Sequence, residues 1–139
     1  MRCELVASGH ANVRGAHPST LELTTETWLT PAGDCIVGVA CSHSCAALPR
    51  ELLSMAQSTA TQISLELAVP SLPSVDITGH GHPELRWADP TSMVVRTSGY
   101  TDDRTLMIEA SHAAADLPRT LVDALADGAP LRATLRVHP

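Results

Sequence analysis

Short runs in which apolar and polar residues alternate recur along the chain and predict a mainly β domain. The alternation is clearest at residues 21–23, 63–67, 93–95 and 131–137, and mostly apolar runs occupy residues 36–41 and 105–110. A period of two is typical of strands that place one face on a core, and short apolar runs are typical of buried strands. These positions are therefore the predicted strands.

Helical signals are confined to two short segments. Pro49 and Pro118 stand where a helix can begin, because the first helical position needs no backbone N–H, and the predicted helices run to Gln57 and Ala126. The serines at positions 42 and 111 are predicted N-caps of a short helical turn ahead of each helix. We expect helices to cover less of the chain than strands.

The chain contains an internal repeat, which is the strongest signal in the sequence. Residues 9–21 (GHANVRGAHPSTL) match residues 81–93 (GHPELRWADPTSM), with Gly, His, Arg, Ala and Pro at the same places. Residues 42–50 (SHSCAALPR) match residues 111–119 (SHAAADLPR) in the same order. The offset falls from 72 to 69 between these blocks, which indicates a three-residue length difference in an intervening loop.

The repeat predicts a pseudo-twofold duplicated β-sandwich or partly closed barrel with two short helical segments. The related halves cover residues 1–69 and 74–139, and residues 70–73 (PSLP) join them. Each half is short and would leave strand edges unpaired, which disfavours separate folding. We therefore expect residues 1–139 to form a single domain, with a true two-domain arrangement as the alternative.

Composition and charge restrict the partners that we expect. The chain has 139 residues with no Phe and no Lys, and nine Arg face fifteen Asp and Glu for a formal net charge of −6. Phosphate binding needs a local positive surface, so we expect no nucleic-acid partner. No apolar stretch approaches the roughly 20 residues of a membrane helix, and the first residues lack a signal peptide. We expect a cytoplasmic protein with no membrane partner.

The four cysteines lie at positions 3, 35, 41 and 45, and their spacings form no paired C-x-x-C motif of a structural zinc site. Without a secretory signal, a disulfide framework is also not expected. We interpret Cys3, Cys41 and Cys45 as small buried apolar residues.

Four motifs, taken in order, resemble a known family. They are GHANVR at residues 9–14, LTPAGDCI at 29–36, GHPEL at 81–85 and DRTLMI at 103–108. Over nearly the whole chain these motifs resemble the archaeal domain of unknown function 371 family. The resemblance implies a mostly β, sandwich-like domain in a cytoplasmic archaeal protein and implies no activity. The chain departs from the family pattern at Cys41, His43 and Cys45, so we expect these three to carry no shared function.

The histidines are the first candidates for chemistry. His10 and His82 occupy matched positions, and each follows a glycine that lets the backbone approach closely. If a symmetry axis passes near them, two or three imidazoles with the carboxylate of Asp34 or the thiolate of Cys35 would suit zinc or another first-row divalent metal. The alternative is structural, namely an imidazole that hydrogen-bonds to neighbouring backbone and was copied by duplication.

Asp34 and Cys35 lie before a buried-looking strand and are the catalytic candidates. Cys35 would be a nucleophile if a histidine lay within hydrogen-bond reach and a cationic environment lowered its pKa. The matched residues in the second half are Asp103 and Arg104, so the repeat does not require a thiol. In the structural alternative, Asp34 caps a turn and Cys35 packs. Asp103 and Arg104 then form a local ion pair.

Arg14 and Arg86 are the ligand-binding candidates, because two matched guanidiniums would hold a carboxylate or phosphate bidentately. The alternative is a solvated arginine whose stem covers apolar surface. Two functions are consistent with these residues. The first is a module that binds a small molecule or assembles with a protein. The second is a metal- or thiol-dependent hydrolase with its site at the pseudo-twofold axis. We favour the first, because no catalytic motif is complete.

Overall fold

Eight strands in two sheets and two short helices make up the structure, a computed structural model that describes residues 1–139. The strands are β1 (Arg2–Ser8), β2 (Thr20–Thr24), β3 (Ile36–Gly38), β4 (Gln62–Ala68), β5 (Val75–His80), β6 (Ser92–Arg96), β7 (Thr105–Met107) and β8 (Pro130–His138). The helices are α1 (Arg50–Ala56) and α2 (Arg119–Ala126), and single 3₁₀ turns precede them at Cys45–Ala47 and Ala114–Asp116. The prediction of a mainly β chain is confirmed. Neither helix is long enough to cross a membrane.

Each sheet has four strands. The first has the order β1-β8-β4-β5 and is antiparallel throughout. The second has the order β3-β2-β6-β7, with an antiparallel pair at its centre and a parallel pair at each edge. In the first sheet, every pairing joins a strand of residues 1–69 to a strand of residues 74–139.

Single backbone bridges link the two sheets at two corners. Ser8 and Val39 exchange N–H···O bonds of 2.8 Å, and His80 and Ile108 exchange bonds of 2.9 and 3.0 Å. One bridge at each corner leaves the sheets as two separate layers. The strands therefore do not form one continuous closed sheet.

Both sheets contribute to one hydrophobic cluster of 34 buried residues. Trp87 is its largest side chain and is fully buried, and its indole N–H donates to the Leu106 carbonyl at 3.2 Å. A buried indole needs such an acceptor, because an unpaired N–H in the core is costly. The core therefore lies between layers built from both halves of the chain.

The helices begin one residue later than predicted. Pro49 and Pro118 are the N-cap residues, with extended ψ angles of 130° and 135°, and α1 and α2 start at the arginines that follow. The predicted ends are close to the observed ones at Ala56 and Ala126. The segments were therefore placed correctly, and the difference lies within the usual variation at helix ends.

The prediction that Ser42 and Ser111 are N-caps is wrong. The Ser42 hydroxyl accepts a hydrogen bond from the Val6 N–H at 3.1 Å, and the Ser111 hydroxyl accepts one from the Thr78 N–H at 3.0 Å. Val6 and Thr78 lie on the edge strands β1 and β5, whose outward N–H groups have no strand partner. The serine hydroxyls therefore accept backbone N–H groups at the sheet edges. The N-cap residues of the 3₁₀ turns are Ser44 and Ala113, two residues after the serines.

Candidate functional site

The two Gly-His elements each lie where an edge strand of the first sheet meets the end of a helix. The His10 N–H donates to the Leu125 carbonyl at 2.9 Å, and the His82 N–H donates to the Ala56 carbonyl at 3.0 Å. A Cβ atom on the glycine before either histidine would lie 2.0 Å from the same carbonyl oxygen. Only glycine permits this approach, and the backbone N–H groups satisfy carbonyls at the helix ends.

The imidazoles of these elements hold their own turns. The Nδ1 atom of His10 accepts the Asn12 N–H at 3.0 Å, and the Nδ1 atom of His82 accepts the Glu84 N–H at 3.0 Å. In a neutral imidazole whose Nδ1 is an acceptor, the proton is on Nε2. Coordination of a metal through Nε2 would therefore require the ring to give up the hydrogen bond that holds the turn.

The structure does not bring His10 and His82 together. β1 ends beside the start of β8, whereas β5 ends beside the start of β4, and β4 and β8 run antiparallel between them. The two elements lie at diagonally opposite corners of the first sheet, which strand dimensions place more than about 20 Å apart. No group of three or more His, Cys, Asp or Glu side chains is arranged to hold a metal ion.

Asp34 and Cys35 form a packed loop before β3. The backbone carbonyl of Asp34, not its carboxylate, accepts the N–H groups of Ala16 and His17 at 3.1 and 3.3 Å. The Cys35 thiol lies 3.8 Å from a Glu22 carboxylate oxygen, and no histidine hydrogen-bonds to it. Burial, followed by the charge of Glu22, raises the pKa of the Cys35 thiol to about 11. These surroundings keep the thiol protonated at neutral pH.

Arg14 and Arg86 lie beside opposite edges of the second sheet and do not form a clamp. Arg14 is exposed and makes no hydrogen bond or ion pair through its side chain, whereas Arg86 Nε donates to Asp103 at 2.9 Å. The expected pair of Asp103 with Arg104 is not present. Asp103 pairs with Arg86 instead, and Arg104 lies 3.8 Å from Asp102. The loop therefore places the carboxylate of Asp102, not that of Asp103, near Arg104.

Arg86 lines a cleft of about 780 Å³ beside β7, and no hydrophobic residue lines it. Its charged residues are two arginines and four carboxylates: Glu84, Arg86, Asp89, Asp102, Asp103 and Arg104. Of the six candidate residues from the sequence, only Arg86 lines this cleft. It is therefore the one that the structure places at an open polar surface with further charged groups.

Asp102 is the centre of a hydrogen-bonded network beneath the cleft. Its carboxylate accepts the Thr105 hydroxyl at 2.7 Å and an Arg96 N–H at 3.0 Å. Burial acts to raise the pKa of Asp102, but the Thr105 hydrogen bond and the charge of Arg96 outweigh it and lower the pKa. Arg96 also lies 4.9 Å from the centre of the Tyr100 ring. The base of the cleft is thus a fixed, ionised carboxylate.

The two arginines of the cleft keep unused hydrogen-bond donors. Asp89 Oδ1 accepts the N–H groups of residues 91 and 92, both at 2.8 Å, and Asp103 is engaged by Arg86. The side chains of Arg86 and Arg104 are nevertheless 69% and 48% exposed. Since each guanidinium has five N–H donors, a ligand that enters the cleft meets free donors on both.

Sequence reasoning missed the structural role of Arg50 and Arg119. Arg50 donates to the Trp87 carbonyl at 3.0 Å, Arg119 donates to the Gly15 carbonyl at 2.9 Å, and both bind carbonyls of the adjacent 3₁₀ turn. They fix the loops that carry Arg86 and Arg14. The repeat contained a sequence signal for these two arginines, because Leu-Pro-Arg occurs at residues 48–50 and again at residues 117–119.

The fold and this cleft define a mainly β domain of two sheets with a charged surface site. The chain belongs to the family described as domain of unknown function (DUF371), which matches residues 5–138. It is similar to Uncharacterized protein MJ0206 of Methanocaldococcus jannaschii, with 39% identity over 122 residues that cover 88% of this chain and 89% of that protein. The archaeal family indicated by the sequence motifs is confirmed.

Proposed function

We propose that this protein is a small-ligand-binding module whose ligand occupies the cleft beside Arg86 and Arg104. The observation that carries the proposal is the unequal use of charges in the cleft. The carboxylates of Asp89, Asp102 and Asp103 accept hydrogen bonds from protein donors, while the side chains of Arg86 and Arg104 are 69% and 48% exposed. Charge-assisted hydrogen bonds from arginine are the strongest that such a cleft offers, and they select an oxyanion.

The lining also restricts the rest of the ligand. No hydrophobic residue lines the cleft, so the ligand is hydrophilic and makes polar contacts over most of its surface. Four carboxylates surround the two arginines, and their negative charge opposes a polyanion. The favoured ligand is a small hydroxy acid with one carboxylate.

We also propose that the two sheets form a duplicated sandwich, in a protein that acts in the cytoplasm. The strand orders support the duplication, because β1 and β5 hold the two edges of the first sheet and β3 and β7 hold the two edges of the second. The matched Gly-His elements make the same 2.0 Å approach to a helix end. Two copies of one unit related by a twofold axis account for both observations.

The binding proposal is tested by calorimetric titration of the full chain with glycolate, with citrate as the polyanion for comparison. We expect glycolate to bind in preference to citrate, and Arg86→Gln and Arg104→Gln each to weaken glycolate binding by about tenfold or more. Arg14→Gln is the matched control, because Arg14 occupies the same position in the other half and makes no ion pair. Equal weakening by Arg14→Gln, or no glycolate binding by the folded wild-type protein, would contradict the proposal.

A further inference from the structure

A second cavity, of about 260 Å³, lies on the outer face of the second sheet. It is lined by Glu22 of β2, by side chains of the following loop, among them Glu26, Trp28 and Leu29, and by Ile36 of β3. The strand alternation from Leu21 to Leu23 places Glu22 on the face opposite the core. A glutamate at that place would ordinarily be solvated, but the loop covers it.

Glu22 is a buried carboxylate without a cationic partner. The residue is 8% exposed, and the hydrogen bond that it receives comes from the Cys35 thiol at 3.8 Å. Arg104 also lines the cavity, but its ion pair is with Asp102 and none is formed with Glu22. Burial of a carboxylate with so weak a donor is unfavourable unless a positive charge is supplied.

The fold does not require a carboxylate at this place. The matched residue in the second half is Val94, which is also the cross-strand neighbour of Glu22 in the β2–β6 pair. An apolar side chain is therefore accommodated at the equivalent position of β6, where it is 2% exposed. A buried glutamate that the architecture does not need points to a ligand.

The remaining lining indicates which cation would fit. Trp28 is 61% exposed although it lines the cavity, and the face of an indole attracts organic cations. Leu29 and Ile36 offer apolar contact to an alkyl chain. A hard metal ion would need a nearly complete shell of oxygen ligands, and no group of three or more His, Cys, Asp or Glu side chains is arranged to hold one.

We propose that this cavity binds a small primary alkylammonium ion, whose N–H groups donate to Glu22 and whose alkyl chain lies against Trp28, Leu29 and Ile36. A volume of about 260 Å³ is below the usual range for drug-sized ligands, so the alkyl chain is short. The proposal rests on Glu22 and does not depend on the carboxylate ligand proposed for the other cleft.

The probe is n-butylammonium chloride, titrated into the full chain at constant ionic strength while tryptophan fluorescence is recorded. Trp87 is fully buried, so the change in emission reports on Trp28. We expect saturable binding in the millimolar range or tighter, and Glu22→Gln to weaken it by about tenfold or more. Glu51→Gln removes an exposed carboxylate on α1 and serves as the control that leaves binding unchanged.

A second variant keeps the test decisive if Glu22→Gln folds poorly. Glu22→Val reproduces the residue found at the matched position of β6, and we expect it to fold and to lose n-butylammonium binding. Tetramethylammonium is the chemical control, because it has the charge but no N–H donor, and we expect it to bind more weakly. The proposal is overturned if n-butylammonium does not bind, if tetramethylammonium binds equally well, or if both Glu22 variants retain binding. Preferential binding of calcium at Glu22 would also overturn it.

Discussion

At the scale of single residues, neighbours decide whether a side chain can react. The position of Cys35 before a buried strand suggested a nucleophile, but the conditions for one were a nearby histidine and a positive field. The structure places the carboxylate of Glu22 beside the thiol and leaves it half-buried. Both features stabilise the neutral thiol. Neither could be predicted from the sequence, because Glu22 lies on β2 and Cys35 lies in the loop before β3, and the two meet only after folding.

Cys35 should therefore be slow to alkylate. With a pKa of about 11, its thiolate fraction at pH 7.5 is about a hundredfold below that of an ordinary cysteine, and the labelling rate should fall by a similar factor. The rate should rise about tenfold for each pH unit until the pH approaches the pKa. Glu22→Gln should speed labelling, because loss of the negative charge lowers the thiol pKa. Iodoacetamide labelling followed by peptide mass spectrometry measures each cysteine separately.

The contrary outcome for Cys35 is specific. If it is labelled faster than Cys3 at pH 7.5 in the folded protein, the thiol is activated, and the thiol-dependent hydrolase becomes the better hypothesis. An unfolded sample provides the control, because there all four cysteines should react at similar rates.

At the scale of elements, the pattern of apolar and polar residues predicted where the strands lie, but it did not predict the residues at which β3 and β7 end. The apolar runs predicted strands over residues 36–41 and 105–110, whereas the strands end at Gly38 and Met107. Ala40 and Glu109 have φ angles of 51° and 52°, in the left-handed region, where a strand cannot continue. Non-glycine residues seldom adopt this conformation, so the sequence carries no signal for it.

The clearest element for a mutational test is β4, in whose second half Leu65 and Leu67 are buried and Glu66 and Ala68 are half-buried. Leu67 is fully buried, and Leu67→Ala should lower the free energy of unfolding by about 2–5 kcal/mol. Glu66 lies on the other face and pairs with Arg136 at 3.1 Å, with side chains 30% and 33% exposed. Glu66→Ala should therefore lower the unfolding free energy by less than about 1 kcal/mol. Urea denaturation at pH 7 measures both variants.

The small contribution of Glu66 should also depend on pH. Hydrogen bonds from Arg136 and then Ser74 lower the pKa of Glu66 below its ordinary value. A lowered pKa in the folded state means that the stabilisation is present above the unfolded pKa, near 4.3, and is lost as the pH falls through the folded value. Equal losses for Leu67→Ala and Glu66→Ala at pH 7 would show that β4 is buried on both faces.

At the scale of the whole molecule, the repeat predicted two related halves but not how they would meet. Matched residues come together only if they lie near the centres of the sheets, where β4 meets β8 and β2 meets β6. His10 and His82 lie beyond the edge strands of the first sheet, so their matched positions separate them. Arg14 and Arg86 are separated in the same way across the second sheet. A sequence repeat shows which residues are equivalent, but not how far each lies from the axis that relates them.

The first sheet also determines how the two halves depend on each other. β1 pairs only with β8, and β4 pairs with β8 and β5, so a fragment of residues 1–69 loses every strand partner of β1 and β4. A fragment of residues 74–139 likewise loses every partner of β5 and β8. Sheet edges and core faces would be exposed on both fragments, and neither buries enough apolar surface to offset its conformational entropy.

Each fragment, expressed alone, should therefore give the circular dichroism spectrum of a largely unfolded chain and show no cooperative thermal transition. An equimolar mixture should regain the β spectrum and a cooperative transition, because all pairings of the first sheet join residues of one fragment to residues of the other. Its melting temperature should lie below that of the intact chain and rise with protein concentration, since the linker at residues 70–73 no longer holds the halves together. If either fragment alone unfolds cooperatively as a monomer, the halves are separate domains and the single-domain prediction is wrong.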